Sequence, residues 1–294
     1  MSRTIVMTGA TGFLGREVAT RLIQQGDEVV ALARDTEALP PTVRGITADL
    51  TQDFSLSLRE IGRADAIVHL AQAGGWHHFP SNAGNIAAVA LTATARLAEF
   101  AARAGARSFL FASSGGTYGP QPEPIPETAP FRPAAQLGFY LATKASGESL
   151  LDYFHDYFAL QILRFFFIYG PGQAPAFLVP RLVSSVRSGI PIKVAAGRGT
   201  RMNPIFISDA AQAVVAALKQ EKSLTANVAG PEPTTIREIA GLIGTMLGQQ
   251  PIFEDQNVPP DDYIADISLM RELLGAPQVG IERGLATTIG FTEV

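Results

Sequence analysis

The chain has 294 residues, 47% hydrophobic and 17% charged, with a net charge of −4, the composition of a globular protein with a substantial core. So small a charge excludes the field needed to hold nucleic acid or an anionic membrane surface. The absence of cysteine excludes disulfides, thiolate metal sites and a cysteine nucleophile. No basic segment with a cleavable apolar stretch precedes the first strand, and no run of about eighteen apolar residues follows. The expectation is a cytoplasmic enzyme with a small-molecule substrate and no membrane partner.

The apolar run Ile5-Val6-Met7 leads into Gly9, Gly12 and Gly15, and residues 16–25 place Val18, Leu22 and Ile23 on one helical face. This predicts a strand, a tight turn and a helix start, the makings of a dinucleotide pyrophosphate site. Gly9 permits the sharp exit from the strand, Gly12 lets backbone N–H groups approach the pyrophosphate, and Gly15 lets the helix lie close on the strand. The helix N-terminus then holds the negative charge.

Residues 28–33 read as the second parallel strand. An acidic side chain at its end would take the ribose hydroxyls of NAD, but Arg34 stands there, with Asp35 one step on. A forked guanidinium pairs with a 2′-phosphate, so NADP(H) is favoured and NAD(H) is the alternative. Residues 43–48 form a short strand ending at Asp49 and Leu50, where Asp49 either accepts from the adenine amino group or caps the following turn. Residues 66–71 are a buried strand whose end, Leu70, Ala71 and Gln72, lies beside the cofactor by the crevice rule for open sheets. His69 within it reads as a packed core residue. Residues 74–80 form a substrate-side loop; the adjacent His77 and His78 cannot share a helix face, so no metal site is read there.

An Ala-rich helix over 85–102 follows, then a strand over 107–114 ending in hydroxyls. A proline-dense connection over 120–133 leads to Tyr140 and Lys144, which share one face of a helix predicted over 140–158. Beyond it come a strand over 161–168, a break at 169–172, a helix over 177–188, a short strand at 192–194, and residues 203–209 opening a helix over 210–219. A strand closes at 227–229, and the tail is a small mixed lobe. The fold class is α/β, a Rossmann doubly wound parallel sheet with a smaller C-terminal mixed α/β substrate lobe. Its expected domains are 1–170, with 203–229 returning, and a lobe of 171–202 and 230–294.

With these residues in view, the chain resembles an extended short-chain dehydrogenase/reductase of the nucleotide-sugar epimerase/dehydratase family. The matching stretches are TGATGFLG (8–15), ADL (48–50), IVHLA (67–71), Asn85, FASSGGTYG (111–119), YLATK (140–144), LRFFFIYGPGQ (163–173), NPIFISDAA (203–211) and NVAGPEPTTIREIA (227–240). The resemblance implies NAD(P)-dependent hydride transfer at a sugar carbon, foremost C4 of a nucleotide sugar. It implies Ser114, Tyr140 and Lys144 as catalytic residues, with Tyr140 and Lys144 also on the cofactor. The rest of the cofactor site is Gly9, Thr11, Gly12, Phe13, Leu14, Gly15, Arg34, Asp49, Leu50, Leu70, Ala71, Gln72 and Asn85. Tyrosine ionises near pH 10, and an ammonium one helical turn away favours its phenolate, so Tyr140 would exchange a proton with the substrate oxygen that Ser114 holds.

Departures narrow the reaction. Gly115 and Gly116 stand where dehydratases carry an acidic pair, which disfavours water elimination. Phe167 stands where nucleotide-sugar enzymes often carry an asparagine, and Arg201 lies near the family's substrate-phosphate arginine; Gly115, Phe167 and Arg201 are the substrate-side candidates. An NADPH-dependent reductase of a non-nucleotide carbonyl compound is the second reading, and a catalytically silent NADP-binding regulatory protein the third. The resemblance also implies a homodimer formed through the helices over 85–102 and 140–158.

Overall fold

A computed structural model of the chain describes residues 2–291. The backbone divides into two compact units: the residues up to Thr117 with Pro130–Arg164 and Ala211–Ala226, and Tyr118–Ala129 with Phe165–Ala210 and the residues from Asn227 onward. Among the described residues no helix is long and apolar enough to cross a membrane.

The first unit is built on β1 (Thr4–Thr8), β2 (Glu28–Ala33), β3 (Arg44–Thr47), β4 (Ala66–His69), β5 (Ser108–Ser114) and β6 (Ala159–Phe165). Near-continuous apolar runs suit strands covered on both faces, and β1, β2 and β4 are buried over almost their whole length. With the strand Leu224–Val228 at one edge, the sheet order is Leu224–Val228, β6, β5, β4, β1, β2, β3. The pairings of β1 with β2 and β4, of β2 with β3 and of β4 with β5 are all parallel. This is a Rossmann-type α/β sheet. Its order reverses between β1 and β4, and a doubly wound sheet leaves its ligand crevice at the C-terminal ends of the strands there.

Helix α1 (Phe13–Gln24) follows β1, and α2 (Ser55–Ile61) follows β3. The Ala-rich stretch forms α3 (Ala83–Ala87), a π turn (Ala88–Ala93) and α4 (Thr94–Ala104) in unbroken succession. The hydroxyl of Thr94 donates to Ala90 O at 2.8 Å. Its single proton is thereby committed, so His69 Nε2–H donates to Thr94 Oγ1 (3.0 Å), and His69 Nδ1 accepts from Thr8 Oγ1 (2.6 Å). Thr8 Oγ1 in turn accepts from the Ala71 amide at 3.3 Å. This chain of hydrogen bonds ties the ends of β1 and β4 to the π turn through a neutral imidazole, whose pKa burial pushes down to about 3. His69 is a core residue, as its sequence context suggests.

Helix α5 (Phe139–Asp152) is shorter than the helix expected over 140–158. Asp152 O is taken by His155 Nδ1 at 2.7 Å, and the chain turns. Phe154 and Phe158, whose spacing mimics a continuing helix, stack on each other at 5.9 Å from within that turn, and Phe158 stacks on Phe109 of β5 at 5.4 Å. Tertiary burial of aromatics, rather than helix continuation, accounts for the apolar period.

Among the described residues the second unit contains three short strand pairs: Ile168–Tyr169 with Ile205–Phe206, Arg201–Met202 with Thr234–Thr235, and Ile192–Ala195 with Phe253–Gln256. The strand Phe253–Gln256 carries three polar residues in four and has no sequence signature of its own. Helix Ile236–Leu247 opens on a full capping box between Thr235 and Glu238. The proline-dense connection is divided, residues 118–129 lying in this unit and Pro130 onward in the first, where the chain runs on to the catalytic helix. Ile125 pairs with Ala265, its N–H donates to Ile264 O at 2.8 Å, and Asn227 Nδ2 donates to Ile125 O at 2.8 Å. The second unit takes in residues 118–129 and 165–210 besides the tail.

Candidate active site

The glycine turn closes in the way its spacing predicts. Gly12 N–H donates to Gly9 O at 2.9 Å, and Arg16 N–H to Gly12 O at 3.1 Å. Gly9 has φ +77°, and a Cβ on it would stand 2.8 Å from Ala71 N; a Cβ on Gly15 would stand 2.0 Å from Gly9 O. Neither position admits a side chain. No side chain caps α1, and its first turn carries no acidic residue, so the amides of Phe13, Leu14 and Gly15 present the positive end of a helix at the crevice. Thr11 and Gly12 border the same turn. These residues fit a dinucleotide pyrophosphate.

Farther along the crevice edge, Arg34 is exposed at the end of β2. Asp35 is turned to local work, its Oδ1 accepting from Glu37 N at 3.0 Å. Asp49 also caps a turn: Thr51 N and Oγ1 donate to its Oδ1 at 2.9 and 2.8 Å and hold its carboxyl below the usual range, with the Arg34 charge a smaller cause. Leu50 and Ala71 lie half-buried with Phe139 against a small core of Ala73, Ile86 and Val89, and Leu70 N–H donates to Thr8 O at 3.2 Å. Asn85 is held by its own loop, its Nδ2 donating to Asn82 Oδ1 at 2.8 Å.

Ser114 ends β5 and opens a 3-10 turn, Gly115–Tyr118. Its Oγ accepts from Gly116 N at 3.2 Å, and Thr117 Oγ1 donates to its carbonyl at 2.7 Å. A Cβ on Gly116 would stand 3.0 Å from a methyl of Leu141. Tyr140 sits in the first turn of α5 and donates its hydroxyl to Gln72 Oε1 at 3.1 Å. Lys144, one turn on and 4% exposed, donates to Ala112 O at 2.7 Å and lies 5.9 Å from the Tyr140 ring centre.

The electrostatics correct one expectation. In the protein alone, burial pushes the Tyr140 phenol above its ordinary value, so the phenolate is not the resting form. Burial also pulls Lys144 down to about 8, with Glu148 opposing; the ammonium is still the main form at neutral pH.

Sequence reading did not single out the group behind Lys144. Glu148 accepts from Arg164 Nη2 at 2.7 Å and Nε at 3.2 Å and from the Ser113 hydroxyl, with Glu148 5% and Arg164 8% exposed. The guanidinium also lies 4.5 Å over Phe131. Glu148 continues the Tyr140–Lys144 face by one more turn, which was the available signal; the partner on β6 was not visible.

In the second unit, Phe167 adopts φ +42°, a region that asparagine enters readily and a bulky residue does not. Phe167 thus holds a backbone conformation that the expected asparagine would adopt with less strain, at a cost of about 1–3 kcal/mol. Its ring meets Tyr263 edge-on at 6.1 Å. Arg201 donates its amide to Asp262 Oδ1 at 2.8 Å, and its guanidinium lies in the field of Asp262 and Glu238. Among the described residues no cluster of His, Cys, Asp or Glu could hold a metal.

A model of the NAD dependent epimerase/dehydratase family matches residues 5–229. The chain is 26% identical to the UDP-glucuronate 4-epimerase of Thermodesulfobacterium geofontis, covering 98% of this chain and 95% of that protein. It is 28% identical to the UDP-glucose 4-epimerase of Mycolicibacterium smegmatis over 98% of each. Among solved structures, MoeE5 in complex with UDP-glucuronic acid and NAD superposes with a TM-score of 0.84 at 27% identity over 99% of both chains. The Thermus thermophilus UDP-glucose 4-epimerase in complex with NAD gives 0.82 at 26%, again over 99% of both.

Glu148→Gln breaks the buried ion pair with Arg164, so unfolding in urea should show a loss of about 3–5 kcal/mol. Glu99→Gln, which breaks the exposed pair with Arg103, should cost under about 1 kcal/mol. Equal losses would mean that the Glu148 pair is not a buried constraint.

Proposed function

We propose that this chain, which belongs to the NAD dependent epimerase/dehydratase family, is an NAD(P)-dependent enzyme that inverts C4 of a nucleotide sugar of the UDP-hexose type. The sequence relatives named above are a UDP-glucuronate 4-epimerase and a UDP-glucose 4-epimerase, and both solved structures named above are complexes with NAD, MoeE5 with UDP-glucuronic acid as well. The observation that carries the reading is the hydrogen bond from Tyr140 to Gln72. It joins the Tyr140–Lys144 pair to the end of β4, beside the turn that fits the pyrophosphate.

Gly9 through Gly15 would hold the pyrophosphate, and Lys144 the nicotinamide ribose. When bound, the nicotinamide supplies a hydride acceptor and donor for the sugar carbon. Tyr140 takes the proton of the C4 hydroxyl as the carbon becomes a ketone, and returns it when the ketone is reduced. Ser114 holds the same oxygen, and the Lys144 ammonium lowers the cost of the intervening phenolate. Inversion requires that both faces of the ketone be presented to the same site. Gly115 and Gly116 supply no acid or base for eliminating water, which supports epimerisation over dehydration.

Two observations pull apart over the adenosine ribose. Arg34 at the end of β2, with Asp35 occupied by Glu37 N, supports NADP(H); the NAD in the solved relatives supports NAD(H). Arg34→Ala should weaken NADP(H) by about 1–3 kcal/mol while leaving NAD(H) nearly unchanged, read by calorimetric titration. Equal losses for both would remove the 2′-phosphate from this arginine. Tyr140→Phe should lower turnover of UDP-glucose or UDP-glucuronate by at least about a hundredfold with the dinucleotide affinity preserved. Retained turnover would take Tyr140 out of the reaction.

A further inference from the structure

The loop after β4 holds the chain's one tryptophan, and it is fastened to the helix that carries Tyr140. Asn82 Nδ2 donates to Gly74 O at 2.6 Å and Gly75 O at 3.2 Å, closing the loop on itself. Two of its aromatics, three residues apart, then meet two consecutive residues of α5. Phe79 stacks on Phe139 with ring centres 4.9 Å apart, and Trp76 lies against the Tyr140 ring at 4.8 Å and 47°. The indole is half-buried, so part of its surface faces away from protein.

We propose that Trp76 is a specificity-determining residue that forms the wall against which the substrate's sugar ring lies while Tyr140 exchanges the C4 proton. The inference rests on the nucleotide-sugar reading given above. Any oxygen that trades a proton with Tyr140 comes within about 3 Å of the phenol, which brings the ring bearing it within reach of an indole placed against that phenol. A hexopyranose presents a patch of axial C–H bonds, and these suit the electron-rich face of an indole better than any other side chain. An open polar loop would give such a ring no apolar surface. The aromatic clamp at Phe79 and Phe139 holds the indole where it is, so the wall is formed before the sugar arrives.

Because Trp76 is the sole tryptophan, its emission reads this site directly. The cofactor-loaded enzyme is titrated with UDP-glucose, UDP-glucuronate and UDP, and binding of each is measured in parallel by calorimetry; Trp76→Phe supplies the blank. The expected result is an emission change with either UDP-hexose that UDP, lacking the sugar, does not produce. Trp76→Ala should raise KM for the UDP-hexose about tenfold with kcat within about threefold, and Trp76→Phe should recover most of the loss. Calorimetric binding of a UDP-hexose with an emission response no different from UDP overturns the wall and leaves the functional reading standing. A fall in kcat at unchanged KM in Trp76→Ala also overturns it, since the indole would then act through Tyr140. No binding of either UDP-hexose overturns the functional reading, and the wall falls with it.

Discussion

One buried ammonium constrains the catalytic half of this protein. Lys144 is 4% exposed and spends a hydrogen bond on the carbonyl of Ala112, and a lone lysine in such a place would lose its proton. It keeps its charge because the next turn of α5 brings Glu148, and Glu148 stays in the interior because β6 brings Arg164. The arrangement fixes α5 against the ends of β5 and β6. It also sets where the first turn of the helix, and so Tyr140, can lie. Buried ion pairs are weak evidence for stability in themselves; here the pair specifies a position.

The opposite wall of the crevice is set by closeness rather than charge. Gly9 and Gly15 leave no space for a Cβ, Gly147 of α5 would place one 3.1 Å from Ala90 O in the π turn, and the Thr94, His69 and Thr8 relay joins that turn to the ends of β1 and β4. A π turn widens a helix locally and is found most often where a site needs it. The phosphate turn, the strand ends and the catalytic helix are thus braced by different physical means, and Gln72 is the point where they meet Tyr140.

The sequence made the local elements legible and left the nonlocal ones hidden. Continuous apolar runs gave β1 and β2 to within a residue or two, because strands buried on both faces carry no ambiguity of register or period. The glycine spacing was readable because each glycine answers to a steric demand. The end of α5 was not, since Phe154 and Phe158 keep a helical period while serving a core contact. Pairs such as Tyr140 with Gln72, 68 residues apart, or Arg164 with Glu148 come from topology. Trp76 could be placed in a substrate-side loop, but its contact with Tyr140 depends on how that loop closes through Asn82. Phe167 was recognised as a departure, whereas its left-handed backbone was visible only in the folded chain.

Hydride transfer at C4, with Tyr140 moving only a proton on oxygen, is the central claim. Its most direct test is to incubate the cofactor-loaded enzyme with UDP-glucose or UDP-glucuronate in deuterium oxide and follow C4 by proton NMR. The account predicts the C4 epimer with the original hydrogen retained on carbon. Deuterium at C4, or no inversion of either sugar nucleotide, would contradict it.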